Sequence, residues 1–157
     1  MTYGAIDIGT NAVLLLIAAE EAGTFREIAD LSAITRLGEG LIRTRRLSRE
    51  AMERTIAALE KYRMALDAHQ GEIVSAFGTS ALREAENRNE FIEMARERAG
   101  FDVKVFSEYE EAYYTYLSVN RDPAIAGSDL VIVDIGGGST EITRGTRERF
   151  VDYVSLP

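Results

Sequence analysis

Two stretches of this chain carry residue types suited to phosphate chemistry. Asp7-Ile8-Gly9-Thr10-Asn11 and Asp134-Ile135-Gly136-Gly137-Gly138-Ser139-Thr140 each close an apolar, strand-like run with an Asp and then turn through glycine. Such a turn gathers several backbone N–H donors at one point beside a carboxylate. That arrangement neutralises anionic oxygens directly and through Mg²⁺. One Asp-x-Gly turn is commonly structural. Two of them, each between strands and each with Thr or Ser behind the glycine, point to phosphate binding. A dinucleotide fingerprint is excluded by spacing, because Glu141 stands where its third Gly belongs.

The remaining composition narrows the chemistry. The 157 residues include 18 Lys plus Arg, 26 Asp plus Glu, one His and no Cys, for a net charge of −8. A generic nucleic-acid surface is therefore not expected. Without Cys there are no disulfides, thiolate zinc sites or thiol nucleophiles, and the expected compartment is the cytoplasm. Only Lys61 and Lys104 are lysines and neither follows a Gly, so no Walker-type phosphate loop exists. His69 alone cannot form an H-E-x-x-H zinc site. No apolar run approaches about 18 residues, so no membrane span is expected. Hydrolysis would rest on carboxylates, hydroxyls and a metal.

The elements that must position these turns follow from periodicity. Tyr3–Ile8, Val13–Ala19 and Phe25–Arg36 read as an antiparallel meander. After Gly38-Glu39-Gly40, Ser48 caps a helix with Met52, Ile56, Leu59 and Leu66 on one face, stopped by Gly71. Ile73–Phe77 is a strand. Asn87 with Glu90 has capping-box spacing for a helix ending at Gly100. Val103–Phe106 is a strand, and Glu108–Asn120 a Tyr- and Glu-rich helix. Leu130–Asp134, Glu141–Arg144 and Phe150–Val154 then repeat the opening meander. The two Asp turns lie 127 positions apart (134 − 7), an echo best explained by a duplicated domain. The expected organisation is an α/β first domain over 1–122, a linker over 123–129, and the opening β meander of a truncated second domain over 130–157.

The strings D-I-G-T-N at the start, I-T-R-L-G-E-G-L at Ile34–Leu41, G-T-S-A-L-R-E-A at Gly78–Ala85, E-E-A at Glu110–Ala112 and D-I-G-G-G-S-T-E at Asp134–Glu141 together resemble one family. It is the exopolyphosphatase / guanosine pentaphosphate phosphohydrolase family, within the actin–hexokinase–Hsp70 superfamily. The resemblance implies a ribonuclease-H-like (actin-like ATPase) domain with a mixed sheet and flanking helices, plus the truncated start of a second such domain.

It also implies roles. Glu111 matches the carboxylate that activates the attacking water, and Asp134 and Glu141 the Mg²⁺-associated acids. Gly136, Gly137, Gly138, Ser139 and Thr140 match the second phosphate cradle, and Asp7, Gly9, Thr10 and Asn11 the first. Arg83 matches an arginine gripping the terminal phosphate. The chain departs from the family at Glu108 and Tyr113, where Gly and Arg are common, and at Ala12 and Leu14, where a Ser follows the Asn and an Arg lies further on.

The expected activity is release of terminal phosphate from inorganic polyphosphate or guanosine pentaphosphate with Mg²⁺. Such a leaving group needs no general acid, which suits a site without His or Cys. Two other readings are a non-catalytic polyphosphate-binding or assembly module, and a kinase or ATPase of the same superfamily. Read from the residues alone, Glu108, Glu110 and Glu111 serve equally as the acidic first turn of a helix. Arg43, Arg45, Arg46 and Arg49 read as a solvated loop, and Tyr109, Tyr113, Tyr114 and Tyr116 as packing. The bare face of the 130–157 meander predicts self-association into a homo-oligomer, or packing of the meander onto the chain's own first domain.

Overall fold

The computed structural model describes residues 1–122, 125 and 129–156, apart from the side chains of residues 73 and 74. They form two compact units, Met1–Val105 and Phe106–Pro157. The α/β class with a mixed sheet and flanking helices is as expected.

In the first unit, β1 (Thr2–Ile8), β2 (Ala12–Glu21) and β3 (Thr24–Ile34) form the antiparallel meander. β4 (Glu72–Gly78) runs parallel to β1, and β5 (Val103–Val105) parallel to β4, giving the sheet order β3-β2-β1-β4-β5. Alternation along β1 and β2 sends Ile6, Ile8, Val13, Leu15 and Ile17 to one face, where all are fully buried. They share a core with Met52, Ile56, Leu59 and Leu66 of the long helix, which follows the short α1 (Leu41–Thr44) and is labelled α2 (Arg49–Ala68). The Ser48 hydroxyl accepts the Ala51 N–H at 3.1 Å and starts α2 as expected. Midway along, the Tyr62 hydroxyl donates to the Val13 carbonyl at 2.8 Å and pins helix to sheet. Burial there pushes the phenol above its ordinary pKa, so the donating form persists.

Behind β4 come α3 (Ser80–Glu84) and α4 (Arg88–Met94). A π-helical turn, Ala95–Ala99, extends α4 and ends at Gly100, whose φ of 69° is the left-handed conformation glycine adopts most easily. The helix expected here exists, but the capping box at Asn87 and Glu90 does not. The buried Asn87 side chain caps nothing. Its Oδ1 accepts the Leu47 N–H at 2.8 Å and its Nδ2 donates to the Leu47 carbonyl at 3.1 Å, while Glu90 pairs with Arg46. Two bonds to a buried backbone 40 positions away outweigh one local cap. Asn87→Ala would strand both Leu47 groups and should cost about 2 kcal/mol in denaturant unfolding.

The second unit is α5 (Glu108–Asn120) with a sheet of β6 (Leu130–Ile135), β7 (Thr140–Gly145) and β8 (Phe150–Leu156), all antiparallel. The capping box of this chain opens α5. The Ser107 hydroxyl receives the Glu110 N–H, and the Glu110 carboxylate receives the Ser107 N–H at 2.8 Å. Phe150 lies 5.4–6.2 Å from the rings of Tyr109, Tyr113, Tyr116 and Tyr153, so the tyrosine stripe packs α5 against the sheet. The first compact unit ends at Val105, and the rings of α5 pack against the meander within the second. Most of the expected 123–129 linker lies outside the described residues.

Candidate functional site

The two Asp-Ile-Gly turns are built alike. In the first, the Gly9 N–H donates to the Ala12 carbonyl at 2.9 Å; in the second, the Gly136 N–H donates to the Ser139 carbonyl, also at 2.9 Å. A Cβ on either glycine would sit 3.0 Å from that carbonyl oxygen. Strand register agrees as well: Asp7 pairs with Leu14 and Asp134 with Glu141, while Ile8 pairs with Val13 and Ile135 with Thr140. An offset of 127 relates both members of each pair (134 − 7, 141 − 14). Each hairpin therefore spends its glycine amide closing the turn. The amides that follow the glycine in the loop, Thr10 and Asn11 in the first turn and Gly137, Gly138 and Ser139 in the second, lie outside the strands and outside that closing bond. These are the donors such a turn can offer an anion.

In the first unit the turn sits at the carboxyl ends of parallel strands. Ile8 pairs with Gly78, and the Thr79 N–H reaches the Ile8 carbonyl at 3.4 Å. This places Gly9, Thr10 and Asn11 beside the start of α3, which carries the half-buried Arg83. Ligands of open α/β sheets bind at such strand ends. Segment 35–38 supports the turn from behind, with the Thr35 and Arg36 amides on the Asn11 carbonyl and the Gly38 amide on the Thr10 carbonyl.

In the second unit Asp134 and Glu141 face each other across β6 and β7, on the side of the sheet that holds α5. Glu141 is 1% exposed. The Thr115 hydroxyl donates to Asp134 Oδ2 at 3.1 Å and the Ser155 hydroxyl to Glu141 Oε1 at 2.8 Å. Among the described residues, these two neighbouring carboxylates are held by hydroxyls, a pairing that favours a cation. Glu111 lies one helical turn before Thr115, and residues four apart share a helix face. The half-buried Glu111 is therefore on the face of α5 that meets Asp134. Glu110 is committed to the cap and Glu108 is exposed. The site residues read from sequence thus fall into two sets: Asp7, Gly9, Thr10, Asn11 and Arg83 in the first unit, and Glu111, Asp134, Glu141 and 136–140 in the second. Thr115 and Ser155 were missed. Their partners lie 19 and 14 positions away, so no local pattern announces them.

Among the described residues no helix is long and apolar enough to cross a membrane. The Ppx/GppA phosphatase family profile matches residues 16–157. Exopolyphosphatase 2 of Mycobacterium tuberculosis is 39% identical over 158 residues, an alignment covering 95% of this chain and 50% of that protein. The crystal structure of the Aquifex aeolicus Ppx/GppA family member aligns with a TM-score of 0.87 at 36% identity, over 100% of this chain and 51% of that one. An exopolyphosphatase from Cytophaga hutchinsonii aligns with a TM-score of 0.94 at 29% identity, over 99% and 50%. The ethanolamine utilization protein EutJ of Carboxydothermus hydrogenoformans, 16% identical with a TM-score of 0.57, shares the fold alone. The fold is the ribonuclease-H-like, actin-like ATPase fold, and the chain spans about half the length of the relatives it matches. The twin turns and the matched span agree: this chain belongs to the Ppx/GppA phosphatase family.

Proposed function

We propose that this chain carries the water-activating and phosphate-binding residues of a cytoplasmic hydrolase that releases terminal phosphate from inorganic polyphosphate or from guanosine pentaphosphate. The observation that carries the reading is the Thr115–Asp134 hydrogen bond. It sets the Glu111 face of α5 against the acidic strand pair beside a glycine turn. Kinship with exopolyphosphatases supports polyphosphate as the substrate.

In this reading the Gly137–Ser139 amides bind phosphate oxygens, and the Glu111 carboxylate accepts a proton from the attacking water. In the first unit the turn from Asp7 through Thr10 and Asn11, with Arg83 beside it, offers amide and guanidinium donors to phosphate oxygens. Asp134 and Glu141 hold Mg²⁺, and their chemistry fits it. Mg²⁺ takes one or two protein carboxylates and fills its remaining positions with water and phosphate oxygens. Asp134 and Glu141 are the two carboxylates the protein would supply. The bound ion would neutralise charge on the transferred phosphoryl group. Asp134→Asn should raise the Mg²⁺ concentration needed for half-maximal phosphate release about tenfold or more, as read from a Mg²⁺ titration.

A second reading is a polyphosphate-binding module without turnover, which the same phosphate turns would serve. Phosphate release from polyphosphate with Mg²⁺ and no acceptor supports hydrolysis. Tight binding without release supports the module, and acceptor-dependent ATP consumption would instead mark a kinase.

The outer face of the second sheet bears on assembly. Val131, Val133, Ile135, Val154 and Leu156 are all roughly half exposed or more. The positions equivalent to Val133 and Ile135 in the first unit, Ile6 and Ile8, are fully buried beneath α2. A second copy of this chain is the proposed cover for that face. Light scattering should show mass rising with protein concentration, and Val133→Lys should suppress the rise. A concentration-independent monomer would remove the assembly.

A further inference from the structure

The first phosphate turn is gripped by a segment to which neither the activity nor the site assigns a role. The Asn11 carbonyl accepts two amides, Thr35 at 3.0 Å and Arg36 at 2.9 Å, and the Thr10 carbonyl accepts the Gly38 amide at 2.9 Å. Arg36 takes a φ of 51°, a left-handed conformation that a side chain disfavours. That bend, with Leu37 fully buried behind it, turns the backbone of residue 38 onto Thr10. The approach is close enough to exclude any side chain. A Cβ at Gly38 would lie 2.4 Å from Thr10 Cγ2, far inside van der Waals contact, and 3.5 Å from Thr10 Cβ.

The chemistry of threonine makes this contact consequential. Methyl and hydroxyl share one carbon, so the methyl cannot leave its staggered well without carrying the hydroxyl to another. Space at residue 38 therefore decides where the Thr10 hydroxyl points. We propose that Gly38 is a positioning residue: its missing side chain makes room for the Thr10 methyl and so fixes the direction of the Thr10 hydroxyl in the phosphate turn. The proposal rests on the reading of Asp7–Asn11 as a phosphate-binding turn. Segment 35–38 fixes the turn's backbone through three amides, and Gly38 fixes its side chain.

A mutant cycle tests this, because Thr10→Ser deletes the methyl that a side chain at 38 would strike. Affinity for a short inorganic polyphosphate is measured for the wild type, Gly38→Ala, Thr10→Ser and the double variant. Amide shifts of residues 9–11 and thermal melting are recorded on the same four proteins. Gly38→Ala is expected to weaken binding about tenfold in the wild-type background and only about twofold in the Thr10→Ser background, given how steeply affinity and rate follow small misplacements. The amide shifts that Gly38→Ala displaces should return in the double variant towards those of Thr10→Ser alone. An equal penalty in both backgrounds would overturn the proposal. If Gly38→Ala does not fold, the double variant should recover the melting transition, and failure to do so overturns it as well. If the wild type binds no polyphosphate, the phosphate reading fails by itself, and the shift pattern still decides whether Gly38 sets Thr10.

Discussion

Replacing Glu111 with Gln should lower phosphate release from polyphosphate by about 10²–10⁴-fold, the usual contribution of a positioned general base, while leaving polyphosphate affinity nearly unchanged. The amide is close to isosteric with the carboxylate and keeps the helix face, but it cannot take a proton. Glu110→Gln is the informative control. Glu110 spends its carboxylate on the Ser107 amide and hydroxyl, so that change should touch the helix start and leave the pH profile of turnover intact. The measurement belongs in any form of the chain that turns over polyphosphate. Near-normal turnover by the Glu111 variant would remove the base role, whatever its effect on stability. A parallel fall in both affinity and rate would assign Glu111 to binding.

The largest effect on stability is expected at Gly145 in β7. A Cβ there would fall 2.3 Å from Tyr116 Cε2 and 3.2 Å from the Arg149 carbonyl oxygen. The ring has nowhere to retreat. Tyr116 is 2% exposed, its hydroxyl donates to the Thr146 carbonyl at 2.6 Å and receives the Asn120 amide at 3.2 Å. Overpacking a tethered ring sits at the upper end of the usual penalty, so Gly145→Ala should cost about 3 kcal/mol. Chemical denaturation followed by tyrosine near-ultraviolet dichroism reads the second unit directly. A loss below about 0.5 kcal/mol, the range of innocuous surface changes, would show that the helix slides on the sheet.

The contrast between these residues explains how far the sequence could be read. Strand alternation and helical spacing are local, so the meander, α2 and the Glu108–Asn120 helix were legible to within a residue or two. The paired Asp-Ile-Gly turns were legible for the same reason. Asn87 was misread because its spacing to Glu90 matches a local motif, while the buried backbone of Leu47 competes for the same side chain from a distance. The box that does form has the same spacing, Ser107-x-x-Glu110, and closes on its own helix start. That α5 joins the meander follows from Phe150 and Gly145 accommodating its tyrosines. Such complementarity between segments about 30 residues apart leaves no mark in either one. The hydroxyls of Thr115 and Ser155, which orient the two carboxylates, were hidden for the same reason.

The matched hairpins also say something about descent. With backbone, turn and register held in common, Leu14 of the first copy stands where Glu141 stands in the second, and Leu16 where Thr143 stands. Between the two copies, a carboxylate opposite the Asp takes no new loop and no new strand. It takes a different residue at one position of a shared scaffold, opposite an Asp that both copies possess. The difference between the twins is in this protein a matter of a few side chains, and Leu14→Glu would set a carboxylate opposite Asp7 just as Glu141 stands opposite Asp134.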